Sequence, residues 1–133
     1  MNINVASGAT EDEKILIVQL ADPETEPEKC IAGLIFARTL AIMEAPVYIF
    51  SMAKSPLLYT KDIAENSRID KKFRDLIAEN LAGLLKKSPA VYICSKSKEL
   101  LGLENNMLIQ PFQIAGMLML HNLKQMVNHT YFF

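Results

Sequence analysis

Three short runs constrain the fold more than anything else in this chain: KILIVQL at Lys14 to Leu20, VYIFS at Val47 to Ser51 and AVYIC at Ala90 to Cys94. Each is nearly all apolar and rich in β-branched or aromatic residues, without the alternation of a strand that is wet on one side. Such runs suit strands buried on both faces, as in a parallel sheet covered by helices. The segments between them read as helices. TEPE at Thr25 to Glu28 has the form of a capping box, so a helix is expected from there to about Glu44, closed before Pro46. From Lys71 to Lys87, Phe73, Leu76, Ile77, Leu81, Leu84 and Leu85 fall on one helical stripe. Lys86 and Lys87 suit the negative end of that helix, and Pro89 marks its exit.

The segment Met52 to Asp70 holds Pro56 and no sustained period, so it reads as a loop with at most a short helical turn. Past Gly102 the pattern predicts a short edge strand at Met107 to Gln110, a helix over Phe112 to Val127 and a last strand at His129 to Phe133. Strands alternating with helices, joined by right-handed crossovers, give an α/β fold with a parallel sheet and helices on both faces. Its 133 residues suit one domain, here 14–133 behind an N-terminal leader at 1–13.

Composition excludes several classes of function. The 14 basic residues are balanced by 15 acidic ones, with no dense basic block, so nucleic acid is an unexpected partner. Arg38 and Glu44 interrupt the longest apolar region, and the leader lacks the pattern of a signal peptide. The chain therefore reads as cytoplasmic, with no membrane association. The two cysteines, Cys30 and Cys94, stand far apart with no CxxC pairing, which argues against a disulfide scaffold and against a zinc site.

Cys94 is the candidate with chemistry. It ends an apolar strand and is followed at once by SKSKELLG, where Ser95 or Ser97 can cap a short helix ending at Gly102. The free amides of that helix, with Lys96 and Lys98 nearby, would favour a thiolate. The commoner fate of such a cysteine is packing as a small hydrophobe. Lys54 follows strand two, whose end lies beside strand three, and could face a bound anion; a solvated lysine is the plainer alternative. Cys30 reads as a core-packing residue, His121 as a hydrogen-bonded interface or core histidine, His129 as a strand-entry residue, and Met107, Met117, Met119 and Met126 as core or subunit contacts.

KILIVQL, AGLIFARTLAIMEAPVYIF, AVYICSKSKELLGL, FQIAGMLML and TYFF together resemble the DsrE-like family, over nearly the whole chain from Lys14. That family includes small sulfur-relay proteins of sulfur oxidation and of tRNA thiolation. The resemblance implies a three-layer sandwich with a five-stranded parallel sheet, cytoplasmic location and trimeric or hexameric assembly. It also implies that the relay cysteine, which ends the VYIC strand, corresponds to Cys94. Where many relatives have an acidic residue and a glycine before a valine after strand two, this chain has SMAKSPLLY.

The reading that follows is an intracellular sulfur carrier holding a persulfide on Cys94, with Ser95, Ser97 and Lys54 around the thiol. It would exchange sulfur with donor and acceptor proteins, as a homo-oligomer and without metal or cofactor. A thiol redox sensor or peroxidase using Cys94 is one alternative, though no resolving cysteine lies nearby in sequence. A non-catalytic binding or scaffold subunit is another. In the family-like sheet strand two separates strands one and three by about 9.6 Å, twice the strand spacing, so no Cys30–Cys94 disulfide is expected.

Overall fold

The computed structural model describes residues 13–133. The leader expected at 1–13 therefore lies, apart from Glu13, outside the described residues. The elements run β1 (Ile15–Gln19), α1 (Pro27–Ile42), β2 (Val47–Ser51), α2 (Lys71–Leu85), β3 (Ala90–Cys94), α3 (Ser95–Leu100), β4 (Gln113–Ala115), α4 (Met117–Met126) and β5 (His129–Phe132). All five strands are parallel, in the order β4-β3-β2-β1-β5. The steps from β1 through β4 move one way across the sheet, and the last step returns past all of them to β5. Right-handed crossovers then place α1 and α2 on one face and α4 on the other, giving the expected three layers.

Side chains alternate between two cores. Ile15 and Ile17, Val47 and Ile49, and Val91 and Ile93 pack with Leu34, Ala37, Ile77, Leu81 and Leu84 of α1 and α2. Leu16, Val18, Phe50 and Cys94 pack on the opposite face with Ala115 and Leu123. The first core is much the larger, because two long helices cover it and only α4 covers the second.

Several local expectations give way to tertiary context. No capping box forms at Thr25: Glu26 is the N-cap, without a side-chain bond, and Pro27 begins α1. Proline there needs no amide partner, so the turn Asp22 to Glu26 sets the start instead; the Glu26 amide donates to the Asp22 carbonyl at 2.7 Å. On α2, Leu76 is exposed and Asn80 is buried in its place, donating to the Leu76 carbonyl at 2.9 Å and accepting from Arg38 at 3.3 Å. Lys86 and Lys87 lie just past the end of that helix rather than in its last turn. The Met107 to Gln110 strand is absent: Asn105–Met107 is a 3₁₀ turn, and Leu108 makes one antiparallel bridge to Thr60. The sheet is completed by Gln113–Ala115 instead, within the stretch expected to be helical, and Gly116 then caps α4. Met52 to Asp70 is irregular, as expected, with 3₁₀ turns at Ser55–Tyr59 and Ile63–Glu65. Among the described residues no helix is long and apolar enough to cross a membrane.

Candidate functional site

Cys94 ends β3 and is itself the N-cap of α3, with φ −60° and ψ 123°. Neither Ser95 nor Ser97 caps the helix: Ser95 is its first residue and exposed, Ser97 lies one turn in and is buried, and no side-chain bond forms at the cap. The reason is geometric, since the strand runs into the helix without an intervening loop and leaves no serine at the cap position. The thiol points to the second core and is 2% exposed, packed with Phe50, Ala115 and Leu123. Its register partner across β4 is Ala115. Lys96 turns away to pair with Glu99 at 3.6 Å, both side chains exposed.

Lys54 leaves the end of β2 toward β1 rather than β3, its Nζ 3.8 Å from the Asp22 carboxylate. In the loop carrying it, Ala53 has φ 56°, the left-handed region that favours glycine. The fold thus gathers Cys94 and Ser97 at the end of β3 and leaves Lys54 engaged elsewhere.

Sequence reasoning overlooked a buried polar cluster under the start of α1. Gln19 and Ser51, register partners at the carboxyl ends of β1 and β2, face the larger core. The Tyr59 hydroxyl donates to Gln19 Oε1 at 2.8 Å. Ser55 Oγ lies 2.5 Å from Ser51 Oγ and bonds the Gln19 carbonyl at 2.9 Å. These bonds fasten the irregular 52–59 segment to the sheet, and their signal in the sequence is a polar residue closing each of two otherwise apolar runs.

Cys30 sits beside this cluster, donating to the Ala21 carbonyl at 3.5 Å. Burial, with the Asp22 and Glu26 carboxylates adding to it, pushes its thiol from 9.0 up to about 12. The group is a neutral packing thiol, as the sequence suggests. Cys30 and Cys94 are both free and lie on opposite faces of the sheet, so the sheet itself stands between them. His121 is exposed on α4 in the single chain, so it is not a core histidine.

Open α/β sheets bind ligands outside the carboxyl ends of their strands where strand order reverses, here between β1 and β5. Phe133 fills that crevice. Its carbonyl accepts from the Leu20 amide at 2.6 Å, and its ring lies against Gly33 and Phe36. Among the described residues no three His, Cys, Asp or Glu side chains converge as a metal site requires.

Comparison with known proteins agrees with this architecture. The model of the DsrE/DsrF-like family matches residues 13–131. Solved structures that match include the crystal structure of the YchN protein from E. coli, 19% identical, with a TM-score of 0.76. The alignment covers 91% of this chain and 99% of that one, a likeness of fold. No curated protein matches.

Proposed function

Because this chain belongs to the DsrE/DsrF-like family, we propose that it is an intracellular sulfur relay holding sulfur as a persulfide on Cys94. The observation that carries the reading is the position of Cys94, last in β3 and first cap of α3, at the strand-cysteine-helix junction through which the resemblance assigns the relay thiol. In this reading the Cys94 sulfur attacks the outer sulfur of a donor's persulfide. The donor S–S bond breaks, the donor leaves as a thiolate, and Cys94 keeps the sulfur. An acceptor thiolate then attacks that outer sulfur and Cys94 leaves as the thiolate, so no net oxidation occurs and no cofactor is needed. Ser95 and Ser97 would flank the approach, whereas Lys54 is turned to Asp22 on the β1 side. Since the thiol is buried in the single chain, transfer requires a local movement that exposes it.

We further propose assembly into a trimer or hexamer, for which the apolar side chains left in water around the second face give support: Leu118 is 72% exposed, and Met117 and Phe132 are exposed with it.

One observation favours a second reading. A cysteine 2% exposed in an apolar cluster is how a structural thiol is held, which suits a non-catalytic oligomeric subunit. Intact mass after incubation with sodium polysulfide separates the two, with light scattering on the same sample to give the oligomer size. One added sulfur, absent from Cys94→Ser and retained by Cys30→Ser, supports the relay. Oxygen added by mild peroxide without sulfur uptake indicates a sensor. No change with either reagent leaves the non-catalytic subunit.

A further inference from the structure

A broad concavity lies at the carboxyl end of the sheet but away from Cys94. It is a groove of about 710 Å³ between the 57–68 segment and the 103–107 turn. Its size falls within the range of about 300–1,000 Å³ typical of ligand sites, and it suits a molecule of several residues rather than a lone ion.

The groove is built before any ligand arrives. Its two walls are joined by the Thr60 to Leu108 bridge, with the Lys61 amide donating to the Met107 carbonyl at 2.9 Å and the Ile109 amide to the Tyr59 carbonyl at 2.7 Å. Tyr59, Ile63 and Leu108 beneath are almost wholly buried. One end is closed by Glu24, which accepts from Asn66 Nδ2 at 3.0 Å and pairs with Arg68 at 3.7 Å. A cleft held this way need not reorganise to bind.

Its lining specifies the chemistry of an occupant. Three acidic residues, Glu24, Asp62 and Glu65, stand against two basic ones, Lys61 and Arg68, so the lining carries a net charge of −1. A polyanion would be repelled, and a polycation would meet two cations. Glu24 is already engaged by Asn66 and Arg68, whereas Lys61, Asp62 and Glu65 are exposed and carry no ion pair among the described residues. The same lining includes the apolar side chains of Leu57, Leu103 and Met107, the last 44% exposed and of a type that adapts to varied apolar partners.

We propose that this groove binds a short free peptide, its terminal carboxylate on Lys61, its ammonium on Asp62 or Glu65, and apolar side chains on Leu57, Leu103 and Met107. The site is independent of the sulfur chemistry, so Cys94→Ser should bind as the unaltered chain does. The test is a ¹⁵N–¹H titration of the full chain with the tetrapeptide Ala-Leu-Leu-Ala, free and in acetylated, amidated form. Saturable shifts confined to amides 57–68 and 103–107 are expected. Lys61→Gln, or blocking the peptide termini, should each weaken binding about two- to fivefold, the scale of an exposed ion pair. Absence of saturable shifts at millimolar peptide, shifts centred elsewhere, or equal affinity for the blocked peptide would overturn the proposal.

Discussion

Replacing Tyr59 by phenylalanine removes a single oxygen and tests whether the buried polar cluster holds the 52–59 segment to the sheet. Tyr59 is 1% and Gln19 3% exposed, and the hydroxyl donates to Gln19 Oε1 at 2.8 Å. Burial raises the pKa of the phenol, so it stays a neutral donor at physiological pH. In Tyr59→Phe the ring packing survives but the Gln19 oxygen loses its donor where water does not reach it, a loss of about 1–3 kcal/mol. Unfolding entropies of about 2.1 cal/mol/K per residue amount to about 0.28 kcal/mol per degree over 133 residues. The melting temperature should therefore fall by about 4–11 °C, with a matching drop in urea midpoint at unchanged slope. Adding Gln19→Met removes the orphaned acceptor as well, and the double variant should recover most of the loss, because two absent partners cost far less than one. A single variant within about 0.3 kcal/mol of the parent, or a double variant as unstable as the two losses summed, would refute this account of the cluster.

Gly33→Ala should destabilise, although alanine is the better helix former by about 1 kcal/mol. A Cβ there would stand 2.9 Å from Phe133 Cβ and 3.0 Å from its Cγ, and overpacking of this kind costs about 1–3 kcal/mol; equal or higher stability in urea denaturation would contradict the close approach. Stability should also fall at alkaline pH on account of Cys30. Its folded pKa of about 12 lies above the ordinary thiol value of 9.0, so the unfolded chain releases the proton first and stability declines as pH rises from 9 toward 12, at up to about 1.4 kcal/mol per unit. Cys30→Ala should remove that part of the slope, and denaturation curves at pH 8 and 10.5 for both chains measure it; identical slopes would show that the thiol is not shielded.

The three central strands were legible because burial on both faces demands unbroken apolar runs. KILIVQL and VYIFS contain β1 and β2, and AVYIC coincides with β3 residue for residue. Edge β4 was not legible: its three residues pair only with β3, and with two of them exposed it carries no such run. Leu76 and Asn80 exchange their expected roles on α2 because Arg38 of α1 supplies a partner for a buried amide, and no pattern within α2 encodes what faces it.

For the candidate site, local chemistry identified Cys94 and its place at a strand end, since an apolar run ending in a thiol before a polar helix is readable in one dimension. Whether that thiol meets water depends on which core the strand alternation hands it to. Cys94 shares a face with Phe50 and Leu123, while Cys30, whose sequence neighbours are far more polar, is equally buried on the other. Lys54 follows β2, and only the packed structure decides that it leans to Asp22 on the β1 side rather than toward the end of β3. The chain alone determined that there would be buried parallel strands with helices between them, because backbone hydrogen bonding and side-chain hydrophobicity act locally and with a fixed period. Strand order, the filling of the β1–β5 crevice by Phe133 and the direction of each polar side chain arose from contacts between residues distant in sequence, where burial is set by the partner and not by the residue itself.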